Sequence, residues 1–235
     1  MAKAEKLDWL IADQLKAELG GAIVIGREII VLKQSRSTND AILQFSASLL
    51  PLAREGVVLF AEHQTAGRGQ RGNIWESAAG KGLWFSILLR PDIQLCDSGR
   101  LTIWAIEAIS NVIRFEFGLQ PAIKFPNDVR LCERKVAGVL VEMRAQENAP
   151  HLAVVGIGIN MNQRLNDFPA DLQDRAISLA MTLGRQVDRQ NFAAALLRHL
   201  DLTYRERFSS GIAAIPSSPA RTTTRDKRAA RFPKV

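Results

Sequence analysis

A chain of 235 residues, 47% apolar and 23% charged, fits one globular domain of ordinary size with room for a small appendage. No apolar run approaches the ~18 residues of a membrane-spanning helix, and the N-terminal stretch carries acidic residues and no small-residue cleavage site, unlike a secretory signal. The net charge of +7 invites a nucleic-acid reading, but residues 211–235 hold six basic residues against one acid, hence five of those seven charges, so no specific nucleic-acid surface is expected of the body.

Residues 3–19 place Leu7, Leu10, Ile11, Leu15 and Leu19 at helical spacing and close on Gly20-Gly21, which predicts a helix. AIVIG (22–26) and IIVLK (29–33) read as short strands that could pair across Arg27-Glu28. The cluster SRSTND then starts a helix that Gly56 stops, so Ser37, Thr38 and Asn39 serve either as caps or as side chains at the mouth of a pocket. VVLFA (57–61) and LWFSILL (83–89) read as buried strands. A helix is expected from a cap at Asp97 to Gly118. AIKFPNDVRL follows as a short strand that breaks at Pro126-Asn127-Asp128 and resumes. Strands are also expected over 136–143 and 151–160, with Gly156 and Gly158 allowing close backbone approach, and a last helix over 188–208. From Ser209 the chain is rich in Ser, Thr, Pro, Ala and Arg and reads as a disordered basic tail. Strands and helices do not alternate one for one, and the later strands look antiparallel. The expected class is therefore α+β, a mixed, largely antiparallel sheet flanked by helices.

Between the two buried strands lies QTAGRGQRGNIW (64–75), with three glycines interleaved with Arg68, Gln70 and Arg71. Such a loop exposes successive backbone N–H groups, and its arginines add forked donors, so it suits carboxylate or phosphate oxygens and gains order from what it binds. Taken alone it could equally be a basic surface hairpin. It is no Walker A loop, because no Gly-Lys-Ser/Thr ends it. Lys124 and Lys135 flank apolar strands, where an ammonium favours an anion or water. Asp128 beside Asn127 could hold Mg²⁺ through oxygen or could cap a turn. Cys96 and Cys132 lack metal-ligand spacing and read as free thiols of a reducing cytoplasm.

The order of these pieces is more specific than any one of them. STN, then Q-x-x-GRG-x-x-G-x-x-W, then K-x-PND, RK-x-AG-x-LVE and G-x-GIN closely resembles the biotin–protein ligases over roughly residues 30–205. The resemblance implies a catalytic core over 1–208, related to lipoate ligases and class II aminoacyl-tRNA synthetases, with 209–235 standing where members usually carry a small β-barrel domain. The single helix expected over 3–19 cannot make a helix-turn-helix module, so no DNA-binding domain is expected before the core. The implied chemistry is activation of biotin by ATP with Mg²⁺ to biotinyl-5′-AMP, then transfer to a lysine of the biotin carboxyl carrier domain of a carboxylase, by a cytoplasmic monomer or homodimer. Carried over by motif, Ser37, Thr38, Asn39, Gln64, Arg68, Gly69, Gln70, Trp75 and Lys135 would meet biotin. Arg68, Arg71, Lys124, Asn127 and Asn160 would serve the nucleotide, Asp128 the metal, and Lys135 and Arg68 the chemistry. Where many members have arginine this chain has Gln70, and where many have tryptophan it has Phe125. The alternatives are a lipoate or octanoate ligase or transferase, an inactive truncated copy, or an RNA-binding protein on a synthetase-like scaffold.

Overall fold

The computed structural model describes residues 8–22, 24–48, 55–146 and 150–208. Their centre is a seven-stranded sheet in the order β1-β2-β3-β7-β6-β5-β4. The strands are β1 (Glu28–Leu32), β2 (Val57–Ala61), β3 (Gly82–Leu89), β4 (Ala122–Lys124), β5 (Asp128–Leu131), β6 (Arg134–Arg144) and β7 (Leu152–Asn160). Only β1 and β2 run parallel, and every other neighbouring pair is antiparallel, as the sequence led us to expect.

Alternation along the strands sorts the side chains onto two faces. From β3, Leu83, Phe85, Ile87 and Leu89 join the main core, and from β7 Ala153, Val155, Ile157 and Ile159 do so. Over this face pack α1 (Ala12–Leu19), α3 (Gly99–Phe117) and α5 (Arg189–Phe208), where Trp104, Tyr204 and Phe208 form an aromatic cluster. The opposite face splits along its length. Leu88, Leu152 and Val154 pack with Val57 and Leu59 against Ile42 of α2 (Thr38–Ser48). Beyond them the same face carries Ser86, Gly156, Gly158 and Gly138, which leave a dent in the sheet. Register makes the dent continuous, since Ser86 lies opposite Gly156, and Gly158 lies between Trp84 and Gly138.

Four expectations need correction. Helix α1 begins at Ala12 and not at residue 3; residues 3–7 lie outside the described chain. Asp8–Ile11 run unwound because their backbone groups bond to Arg189, Glu62 and Gln190. The described part of 22–26 is no strand: the N–H groups of Val24 and Ile25 both donate to Asp201 Oδ1 at 2.8 Å, and Gly26 turns the chain with φ 96°. The segment 121–131 is not one interrupted strand. It is a hairpin of β4 and β5 that reverses over a cis Phe125-Pro126 bond and pairs Lys124 with Asp128. The cap expected at Asp97 closes a short 3₁₀ turn over Leu95–Asp97, and α3 starts at Gly99. The expectation for 209–235 falls outside the described residues. Among the described residues no helix is long and apolar enough to cross a membrane.

Candidate functional site

The glycine dent is roofed by the start of α2 and by the Gly/Arg loop. Ser37, Thr38 and Asn39 are 3–4% exposed, so they are not merely surface caps. Gln64 Oε1 accepts from the Thr38 backbone N–H at 2.9 Å and from its hydroxyl at 3.2 Å, while Gln64 Nε2 donates to Ser77 Oγ. The Ser86 hydroxyl lies 2.6 Å from Asn39 Oδ1 and 2.8 Å from Thr38 Oγ1. Asn39 Nδ2 donates to Glu142 Oε2 at 2.6 Å, so both ends of its amide are fixed. A side chain at Gly156 would put Cβ 2.3 Å from Asn39 Oδ1, which is why only glycine fits beneath that amide.

The loop carries main-chain pairing of its own. Gly69 N–H donates to Asn73 O, Trp75 N–H to Gly67 O, and the loop's base is tied to residues 35–36 by Thr65 and Ala66 N–H. Arg71 turns it in a left-handed conformation, φ 57°. The loop returns on Trp75, whose indole covers Gly158 and Gly138 in the dent. A Cβ at Gly158 would sit 2.5 Å from it. Trp75 packs edge-on against Trp84 at 5.9 Å, and the Lys135 ammonium lies 5.1 Å from its ring centroid. Lys135 Nζ pairs with Asp128 Oδ1 at 2.6 Å, the two side chains being 30% and 19% exposed. Indole Nε1 is buried without a partner among the described residues, close above Gly158.

Trp75 and Lys135 divide two clefts. The inner one is lined by Ser37, Thr38, Asn39, Gln64, Arg68 and Gly69 with the glycine dent below, and holds about 40 Å³ in this conformation. That is room for a few waters only, so a larger guest needs the lining to rearrange. The outer cleft is about 630 Å³ and is bounded by Asp128, Arg130, Asn160, Phe168, Asp171 and Arg175. Lys135 lies in the wall of both.

The residues singled out from sequence fall into three groups. Ser37, Thr38, Asn39, Gln64, Arg68, Gly69, Trp75, Asn127 and Lys135 converge on the inner cleft, and Asp128 and Asn160 line the outer one. Asn160 commits its amide to the fold: Nδ2 donates to Ile177 O and Oδ1 accepts from Gln163. Gln70, Arg71 and Lys124 line neither cleft here. Sequence reasoning missed Ser86, Asp40 and Glu142. Ser86 is the lone hydroxyl in an apolar strand run, and Glu142 ends the quoted LVE; both were visible as polar breaks in buried strands. Among the described residues no group of three or more His, Cys, Asp or Glu could hold a metal by itself.

Two ionisable groups beside the site are shifted. Glu62, two residues before Gln64, has its carboxyl pushed above the ordinary range by burial, against the pull of Arg189. At the outer rim, burial would raise the Asp167 carboxyl, but the Lys81 ammonium and the Arg164 backbone N–H outweigh it and hold it below its ordinary value.

Comparison with known proteins agrees with this geometry. Residues 31–160 match the Biotin/lipoate A/B protein ligase family. The chain is 37% identical over 185 residues to the bifunctional ligase/repressor BirA of Bacillus subtilis, covering 79% of this chain and 55% of that protein. It is 34% identical over 191 residues to the biotin–[acetyl-CoA-carboxylase] ligase of Mycobacterium tuberculosis, covering 80% and 68%. The biotin protein ligase of Aquifex aeolicus in complex with biotin and ATP superposes with a TM-score of 0.64 at 31% identity, over 76% of this chain and 72% of that one. The fold is the one found in the biotin protein ligase of Aquifex aeolicus. The chain belongs to the Biotin/lipoate A/B protein ligase family, and it spans little more than half the length of the BirA proteins it matches.

Proposed function

We propose that the chain activates biotin with ATP to biotinyl-5′-AMP and passes the biotinyl group to a lysine of a biotin carboxyl carrier domain. The observation that carries this reading is the meeting of two clefts at Lys135 and Trp75. A small inner slot beside a larger outer one suits a reaction that joins a compact acid to a nucleotide. The 31%-identical Aquifex aeolicus structure, solved with biotin and ATP, supports both substrates.

In this reading biotin enters the inner cleft once the lining rearranges. Its ureido group meets the Ser37, Thr38, Asn39 and Gln64 amides and hydroxyls, and its ring packs on the glycine floor. ATP lies in the outer cleft, with Asn160 on its wall, Asn127 adjoining from the inner cleft, and Arg71 and Lys124 reaching in from outside. The biotin carboxylate attacks the α-phosphorus, the acyl–phosphate bond forms, and pyrophosphate leaves with the bonding electron pair. Lys135 stands at the junction, where the new anhydride forms, and Arg68 and Gly69 cover it. For this Lys135 must release Asp128. Mg²⁺ arrives with the nucleotide: a single carboxylate, Asp128, is the donor set of an ion held mainly by phosphates, not of an all-protein cage. In the second half-reaction the carrier lysine's amine attacks the biotinyl carbonyl, loses its proton and expels AMP, while the loop keeps water out. Residues 1–208 form the catalytic domain in this reading. The setting is cytoplasmic, in keeping with the two exposed free thiols, Cys96 and Cys132.

The test is incubation with biotin, ATP and Mg²⁺, followed by mass detection of biotinyl-AMP and of a biotinylated carrier domain. Appearance of both is expected. A chain that yields neither, while melting normally, is not a biotin ligase by itself.

A further inference from the structure

Two carboxylates at the inner cleft have been given no role. Asp40 follows Asn39 in the first turn of α2, and Glu142 reaches from β6 to the Asn39 amide beside the cleft. One nitrogen of Arg68 serves both: Nη2 donates to Asp40 Oδ1 at 2.8 Å and to Glu142 Oε2 at 3.0 Å. The same Glu142 oxygen accepts from Asn39 Nδ2 at 2.6 Å. A single carboxylate therefore ties the wall of the inner cleft to the loop that covers it.

A guanidinium carries five N–H donors, and Nη2 accounts for two of them. The two carboxylates consume those two and leave the Nη1 and Nε hydrogens for an anion. Carboxylates that merely masked the arginine would cap a whole edge in the bidentate fork that Arg–carboxylate pairs favour. Here the acids hold the group from one corner. The side chains of Arg68, Asp40 and Glu142 are 43%, 46% and 35% exposed, so the hold is shallow and screened, suited to a loop that must open and close.

We propose that Asp40 and Glu142 are positioning residues that hold Arg68, and with it the GRG hairpin, closed over the inner cleft before and after the adenylate forms. The proposal rests on the reading of that cleft as the biotinyl-AMP site. It separates these acids from the residues that touch the ligand: they act through Arg68, and Glu142 also acts through Asn39.

The test uses the full chain with Asp40→Asn, Glu142→Gln and the double variant, all nearly isosteric. The first readout is hydrogen–deuterium exchange without ligand. Amides of the loop, Gly69 and Trp75 among them, should exchange about three- to tenfold faster in the double variant, the range expected for losing exposed charge pairs, with β3 unchanged. Arg68→Gln should give the same acceleration, and adding the double change to it should give no more. The second readout is dissociation of preformed biotinyl-AMP, expected to quicken by a similar factor while its rate of formation at saturating substrates changes less. Unaltered loop exchange in the double variant would overturn the proposal. So would slower loss of the adenylate, since the acids would then be competitors of the ligand. Because exchange is read without ligand, a chain that makes no biotinyl-AMP sinks the ligase reading and leaves the loop hold to be judged on its own.

Discussion

Two arginine–carboxylate networks stand six residues apart on the same segment, and they differ most in burial. At its start, Glu62 pairs with Arg189, the two side chains being 1% and 0% exposed. Arg189 also donates to Gly82 O and Asp8 O, and Glu62 accepts from Leu10 N–H. At its end, Arg68 meets Asp40 and Glu142 with all three groups a third or more exposed. Burial opposes charge on both members of the first pair, raising the Glu62 carboxyl and lowering Arg189 from its ordinary value. Such a pair adds little net stability, but neither member can be removed alone without stranding the other in a dry site. It pins the root of the loop, α5 and the entering N-terminal segment to one point. The second pair is screened by water and can be made and broken at little cost. The same chemistry thus fixes one end of the segment and leaves the other free to move.

Arg189→Met should cost about 3–5 kcal/mol in urea denaturation, because it leaves the Glu62 carboxylate buried and unpaired. The cost should shrink toward acid pH, where protonation of Glu62 removes the stranded charge. The folded fraction should keep its ligand affinity. A loss below about 1 kcal/mol, in the range of surface pairs, would mean that burial is not what separates the two networks.

Arg68 of the exposed network stands out in the sequence within its GRG motif, whereas neither member of the buried pair does. VVLFA, LWFSILL and the helix ending at Gly118 announced themselves by apolar runs and spacing, and the STN, GRG, PND and RK motifs brought most of the inner cleft together. Arg189 was unreadable as a core residue: its partner lies 127 positions away, and at a helix start an arginine looks solvated. AIVIG passed for a strand because nothing local reveals that Asp201, 176 positions on, takes its N–H groups. Phe125-Pro126 looked like an interruption and proved to be the reversal of a hairpin. The missed Glu142 and Ser86 were legible only as polar breaks, since their partners come from α2 and the loop.

Lys135 lies between the extremes, and its loss should be felt in chemistry more than in folding. Its pair with Asp128 is partly buried at the boundary of the two clefts. Lys135→Ala should slow adenylate formation by about 10²–10³, or roughly 2.7–4 kcal/mol, the usual cost of losing one charged contact to a transition state. Its melting temperature without ligand should shift little. Unchanged single-turnover adenylation would demote Lys135 to a wall residue, and a loss of stability as large as that of Arg189→Met would move it to the structural class.

The smallest effect should come from the Lys81–Asp167 pair at the outer rim. Its side chains are 22% and 25% exposed, between the two networks and nearer the Arg68 one. Lys81 Nζ donates to both carboxylate oxygens at 2.9 and 2.8 Å, and the Arg164 N–H adds a third contact. The folded Asp167 carboxyl is held below its ordinary value of 3.8, so the folded state binds that proton less tightly than the unfolded state. The stability this confers is present above 3.8 and is lost as pH falls through the lowered folded value. Asp167→Asn should therefore destabilise the protein at neutral pH by about 0.5–1 kcal/mol, the upper part of the surface-pair range. As pH falls through the lowered folded value the variant and the wild type should converge, since both then lack the charge. Urea midpoints measured from pH 7 down to pH 2.5 read this directly. If the gap stays constant across that range, Asp167 contributes as a hydrogen-bonded cap of its turn and not as a charge, and the burial at which an ion pair becomes structural lies deeper than this rim.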